Sequence, residues 1–109
     1  MECLSDLNYA HLKKIRIWKA DLQDEGLRSI CNYIDKCNTI EYLDLMENNI
    51  TSLGCELLSK VLINPSHKII KLRLDNNAIG TPGIKVLAEG LRSNDNIEKI
   101  SLNYCNIDG

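Results

Sequence analysis

The sequence predicts an α/β solenoid: a curved right-handed stack with four parallel strands on its concave face and three full helices on its convex face. Three observations predict it. The stretch "YLDLMENNI" at Tyr42 to Ile50 returns as "KLRLDNNAI" at Lys71 to Ile79. Four related segments begin at Leu12, Ile40, Ile69 and Ile97, which puts them 28, 29 and 28 residues apart. Within a unit the apolar period changes from two to that of a helix, the pattern of a strand followed by a helix. A unit of this size cannot bury its own apolar face, so neighbouring units must stack.

The strands come first in each unit. The four copies open "LKKIRIWKADL", "IEYLDLMENNI", "IIKLRLDNNAI" and "IEKISLNYCNI". Ile15 and Ile17, Leu43 and Leu45, Leu72 and Leu74, and Ile100 and Leu102 alternate with the letters between them, as a strand with one buried side requires. The helices follow. Asp24, Ser52 and Thr81 are suited to helix N-caps, because their side-chain oxygens accept from orphan amides. Pro82 is expected at the first helical position, where its missing N–H costs nothing. Gly26, Gly54 and Gly83 allow close approach between helix and strand. Ile30, Leu58 and Leu87, each with an apolar partner four residues on at Ile34, Leu62 and Leu91, make an apolar helix stripe. Cys31, Ser59 and Ala88 between them are small, as close packing wants. The extra residue of the longer unit falls in the loop "INPSHK". The units are therefore 12–39, 40–68, 69–96 and a truncated 97–109, preceded at 1–11 by a partial N-terminal cap carrying Leu4 and Leu7.

The columns apolar-x-x-apolar-x-apolar-x-x-(Asn/Cys/Ala)-x-apolar resemble the leucine-rich repeat, LxxLxLxxN/CxL. The alternation of 28 and 29 residues with a full helix is similar to the ribonuclease-inhibitor-like class, as in the repeat domains of NOD-like receptors, Ran GTPase-activating proteins and tropomodulins. The resemblance covers Leu12 to Gly109. It implies that the ninth-column Asn48 and Asn77 are buried at the strand-to-loop turn and bond backbone groups there, a role Asn suits because it offers two donors and an acceptor. Cys105 in that column is then a buried structural thiol. Ala20 departs from the family letter and marks an edge repeat. The class serves many unrelated functions, so the resemblance speaks for fold more than for activity.

The letters between the fixed ones define a surface, since alternate strand residues face opposite sides. Lys14, Tyr42, Lys71 and Lys99 make one row of the concave face; Arg16, Asp44, Arg73 and Ser101 make the next; Trp18, Met46, Asp75 and Asn103 follow. The expected partner-binding set is Arg16, Trp18, Tyr42, Asp44, Met46, Lys71, Arg73, Asp75 and Asn103. Trp, Tyr and Met are enriched at interface centres. Two roles fit Trp18: a docking anchor, or a plate packed on its neighbours at the end of the stack. Two also fit the Arg16–Asp44–Arg73 row: cross-strand charge pairing, worth a few tenths of a kcal/mol, or recognition of an acidic partner. Four strands at ~4.8 Å spacing and ~17 Å length give a face of about 300 Å², against roughly 800 Å² per partner in a standard interface. Loops, further repeats or a transient partner must supply the rest.

The chain stops where a fourth helix would begin. Ile100, Leu102 and Ile107 would then have a strand but no helix over them, and the fourth strand would be an open edge. This predicts either a fragment of a longer repeat receptor or regulator, or a subunit that associates through that C-terminal edge.

Chemistry is sparse. Thirteen basic and fifteen acidic residues leave a net charge of -2, which speaks against a general nucleic-acid binder. No apolar run is long enough for a membrane span, and "MECLSDLNYAHLKK" has no secretory h-region. Five cysteines without a CxxC pair suggest reduced thiols and a cytoplasmic setting, with Cys3 and Cys37 expected to be exposed. His11 and His67 have no zinc spacing around them, and no phosphate-binding glycine loop occurs. No cofactor is expected and the chain is read as non-catalytic; a catalytic role would have to run through residues such as Cys37 or His67. The expected function is a protein-interaction module that docks a protein of unspecified identity on the concave face and adjacent loops.

Overall fold

The computed structural model describes residues 12–93 and 96–105. Strand and helix alternate as β1 (Lys14–Arg16), α1 (Gln23–Lys36), β2 (Tyr42–Asp44), α2 (Ser52–Ile63), β3 (Lys71–Arg73), α3 (Gly80–Arg92) and β4 (Lys99–Ser101). The strands form one parallel sheet in the order β1-β2-β3-β4. Its register joins like positions of successive repeats: Ile15 to Leu43, Leu43 to Leu72, and Leu72 to Ile100. Each helix packs on its neighbour in sequence, α1 on α2 and α2 on α3.

The apolar columns close the core. Leu43, Leu45, Ile50, Leu58, Leu62, Leu72, Leu74 and Leu87 are all buried, as are Leu27 and Ile34 of α1. Each such side chain contributes about 1.5–3 kcal/mol on removal from water. The same columns are half-exposed at both ends of the stack, at Ile15 and Ile17 in and after β1 and at Ile100 and Leu102 in and after β4. Residues 1–11 and Ile107 lie outside the described residues, so the N-terminal cap and the last member of the predicted edge do too.

Helix spacing rests on glycine. A Cβ on Gly90 would lie 2.9 Å from Ser59 Cα and 3.1 Å from its carbonyl oxygen, so α3 can approach α2 only because Gly90 has none. Gly83 lies against Ser52 and Cys55 in the same way. The glycines thus bring helix to helix as well as to the apolar side chains below. Ala88, expected to fill a close contact, is exposed. Its column faces away from α2, and among the described residues no further helix covers it.

The predicted caps are displaced. Thr51, not Ser52, caps α2, accepting from Leu53 N at 3.2 Å. Asp24 lies inside the first turn of α1, and its carboxylate accepts from Thr51 N at 2.9 Å and from the Thr51 hydroxyl. Thr81 and Pro82 are the second and third residues of α3, behind Gly80. The cause lies in the stack: the first helical amides donate to the neighbouring turn, Gln23 N to Asn48 O at 2.7 Å and Gly80 N to Cys105 O at 2.8 Å. An amide already satisfied by the next repeat does not need a side-chain cap.

Candidate functional site

The turn that ends each strand is built from two columns. The eighth residue, Lys19, Glu47, Asn76 or Tyr104, takes a left-handed backbone with φ between 53° and 60°. That conformation is unfavourable for a side-chain-bearing residue and, in the first three repeats, is held by a backbone hydrogen bond to the next repeat. Lys19 N, Glu47 N and Asn76 N donate to the carbonyls of Met46, Asp75 and Asn103 in the next repeat. The ninth residue fills the bend. Asn77 Oδ1 accepts from Asn48 N at 2.8 Å and Ile50 N at 3.0 Å, while its Nδ2 donates to Leu45 O and Leu74 O at 2.9 and 3.0 Å. Asn48 repeats the pattern one layer up, accepting from Ala20 N at 2.9 Å and donating to Ile17 O at 2.7 Å. Cys105 continues it more weakly, its thiol donating to Leu74 O at 3.1 Å. These side chains are scaffold.

The turns and register set the sheet face. Tyr42 stands in the upper row between Lys14 and Lys71, whose ammonium nitrogens lie 4.9 and 4.8 Å from its ring centroid. The Lys71 ammonium beside Tyr42, with the charges of Lys14 and Lys99, holds its pKa below the ordinary phenol value against the opposing effect of burial. In the row below, Arg16 and Arg73 flank Asp44, with Arg16 Nε at 3.9 Å and Arg73 Nη1 at 3.8 Å from Asp44 Oδ2. Both distances are beyond hydrogen-bond length. Asp44 Oδ1 is buried and has no hydrogen-bond partner. Arg16 also lies over Trp18, its guanidinium carbon 5.1 Å from the ring centroid, and Trp18 is 45% exposed. The two rows enclose a depression of about 300 Å³.

Asp75 is placed differently. Its carboxylate accepts from Arg73 Nε at 2.7 Å, from Ser101 Oγ at 2.8 Å and from Asn103 N at 2.7 Å. Burial raises its pKa, but these bonds outweigh burial and hold the group below the usual carboxylate value.

The structure gathers Arg16, Tyr42, Asp44, Lys71 and Arg73 around the depression. Trp18 stands beside them on Arg16, Met46 is half-buried, and Asn103 is exposed at the turn after β4. Asp44 and Asp75, expected on the accessible face, are only 7% and 3% exposed. They are short, and the longer arginines reach over them. Lys99 and Ser101 also line the depression. Their strand rows displayed them, yet neither was in the expected set; the signal was the unbroken cationic row around Tyr42.

The other singled-out groups are structural. His67 is 3% exposed, its Nδ1 accepting from Ile69 N at 3.1 Å while the ring bonds the Leu62 backbone. Burial lowers its pKa more than that bond raises it, so the ring is neutral near pH 7. Cys31 and Cys55 are free, buried thiols pushed up to about 12 by desolvation. Cys37 is a correction: it is 3% exposed and disulfide-bonded, not an accessible reduced thiol. It lies past the end of α1, where its amide bonds Tyr33 O. Among the described residues no group of His, Cys, Asp or Glu is arranged to hold a metal ion, and no helix is long and apolar enough to cross a membrane.

The leucine-rich-repeat family profile matches residues 36–59 and 66–88, which hold β2 with most of α2 and β3 with most of α3. This chain is a leucine-rich-repeat protein. Its repeats are of the type found in the NACHT, LRR and PYD domains-containing proteins. It is 36% identical over 89 residues to human protein 14 of that group, covering 80% of this chain and 8% of the relative. It is 32% identical over 107 residues to human protein 3, covering 94% and 10%, and 31% identical over 99 residues to rat protein 3, covering 88% and 9%. The leucine-rich-repeat chain thus spans about a tenth of the length of these curated relatives. Among solved structures, the actin-binding site 2 of leiomodin-1 superposes with a TM-score of 0.83 over 97% of this chain and 62% of its own, at 18% identity. That likeness is one of fold.

Proposed function

We propose that this leucine-rich-repeat chain is a non-catalytic interaction module that docks a protein partner on its sheet face and the turns beside it. The observation that carries the reading is the exposed Trp18 stacked on Arg16, which itself lines a 300 Å³ depression together with Tyr42. Trp, Tyr and Arg are the residue types enriched where interfaces gain their affinity. Family membership supports a protein-interaction module in general terms; the choice of face rests on this geometry. The described histidine and the three free cysteines are committed to the interior, which supports a role without catalysis. Cytoplasmic residence is part of the same proposal: Cys31, Cys55 and Cys105 fit it as free thiols, whereas the bonded Cys37 does not add to it.

A second reading is favoured by one observation. Ile100 and Leu102 are half-exposed, whereas Leu72 and Leu74 at the same positions one strand earlier are 1% and 0% exposed. In this reading β4 accepts a further repeat or a second copy of the chain.

One experiment tests both: affinity capture with the wild-type chain, Trp18→Ser and Leu102→Lys, with sedimentation across a concentration series. Loss of the captured protein with Trp18→Ser alone, at unchanged circular dichroism, supports the sheet face. Retention by Trp18→Ser, with self-association dissolved only by Leu102→Lys, replaces that reading with the edge.

A further inference from the structure

The sheet face has the opposite charge sign to the molecule. The chain as a whole carries -2, yet Lys14, Arg16, Lys71, Arg73 and Lys99 point from the strands on the side where, among the described residues, Asp44 and Asp75 oppose them. Those two carboxylates lie beneath groups that already engage them: Asp75 by Arg73, Ser101 and Asn103 N, and Asp44 by the two arginines at ion-pair distance. In the upper row Lys14, Lys71 and Lys99 have no salt bridge to a carboxylate among the described residues. In contrast, Lys13, one residue outside the strand, pairs with Glu41 at 3.9 Å.

This row works against the fold. Lys71 and Lys99 are register partners on adjacent strands, and like charges directly opposite one another destabilise a sheet. Tyr42 relieves one gap by accepting Lys14 and Lys71 on its ring, but among the described residues nothing comparable stands between Lys71 and Lys99. Unneutralised cations held side by side by the scaffold are best satisfied by an external anion, and the depression they line is open to one. The guanidinium of Arg16, half-exposed and held to Asp44 only at 3.9 Å, has donors to spare for the same purpose.

Building on the proposed docking face, we infer that its partner presents an acidic peptide segment, with Asp or Glu carboxylates laid across β1 to β4 on Lys14, Lys71, Lys99 and Arg16 and with Tyr42 at the centre. Charge complementarity of this kind sets specificity and the rate of encounter. It makes binding weaken as salt rises, because pairs at an exposed face are screened.

The test is fluorescence-anisotropy titration of the full chain with three labelled peptides of about eight residues, enough to cross four strands spaced ~4.8 Å apart: oligo-glutamate, oligo-lysine and a Gly-Ser repeat. An oligo-dT strand is titrated beside them. The wild type is compared with Lys14→Glu, Lys99→Glu and Trp18→Ser. The expected result is preferential binding of oligo-glutamate, weakening with salt, and reduced about tenfold or more by either charge reversal. Lys99→Glu places a carboxylate opposite Lys71, so its Tm is expected to hold or rise by about 1–3 °C. A substitution that stabilises the fold while removing binding separates function from folding. Oligo-glutamate affinity unchanged by both reversals, or no oligo-glutamate binding at any salt, overturns the inference. Oligo-lysine or Gly-Ser binding lost with Trp18→Ser overturns the acidic specificity and leaves the docking face standing. Tighter oligo-dT binding lost with the same reversals also overturns it, in favour of nucleic acid.

Discussion

Two polar columns cross the same inner strands, and they are built on opposite terms. Inside the turn, Asn48 and Asn77 have partners at both ends of their side-chain amides, at 2.7 to 3.0 Å for the bonds that join the repeats. On the sheet face, Asp44 is buried but touches its arginines only at 3.8 and 3.9 Å and keeps one oxygen unpartnered. The first column gains its stability by completeness. The second is left incomplete, and the arginines that meet Asp44 only at 3.8 and 3.9 Å keep donors that a ligand on the accessible face can use.

The comparison predicts a graded set of outcomes. The largest is for Asn77→Ala, which orphans Asn48 N and Ile50 N in the interior. At about 1–3 kcal/mol for each unsatisfied buried group, the loss in urea unfolding should be about 3 kcal/mol or more. Asp75→Ala comes next, because Asn103 N and Ser101 Oγ lose their acceptor; a loss of about 2 kcal/mol is expected. His67 belongs with the complete interior. Its folded-state pKa is depressed, so the unfolded chain binds the proton more readily. Its contribution is therefore fully present above the unfolded value of about 6.5 and is lost as pH falls through the folded value. A wild-type urea midpoint that declines below pH 6.5, beside a His67→Gln chain without that component, is the expected result. The smallest effect is for Asp44→Asn, which removes a poorly partnered buried charge. A change within about 1 kcal/mol in either direction is expected; a loss like that of Asn77→Ala would erase the contrast.

Much of the fold was readable because steric columns repeat. Leu43 and Leu72, or Leu58 and Leu87, meet the same neighbours one layer apart, so the same letters are selected at the same spacing. Asn48 and Asn77 were readable as scaffold for that reason and through the family they resemble. The left-handed eighth position was not, since Lys19, Glu47, Asn76 and Tyr104 share no chemistry; the backbone bonds of the next repeat impose it. The caps were misplaced by one or two residues because Gln23 and Gly80 find acceptors in the adjoining turn, which no local pattern records. At the site, alternation identified which side Arg16, Tyr42 and Lys71 face. It could not tell that Asp44 and Asp75 lie beneath arginines, since that depends on side-chain length across strands. Nor could it tell that Cys37 is enclosed, since its surroundings come from distant sequence.

The most direct test of the division between scaffold and face is a pair of urea unfolding curves for Asn77→Ala and Arg16→Ala, with the wild type alongside. Arg16 is half-exposed and makes no close ion pair, so its removal should change stability by less than about 1 kcal/mol, while Asn77→Ala loses about 3 kcal/mol or more. Comparable losses for the two would contradict the account: the arginine row would then hold the sheet together, and the face would not be free to receive a partner.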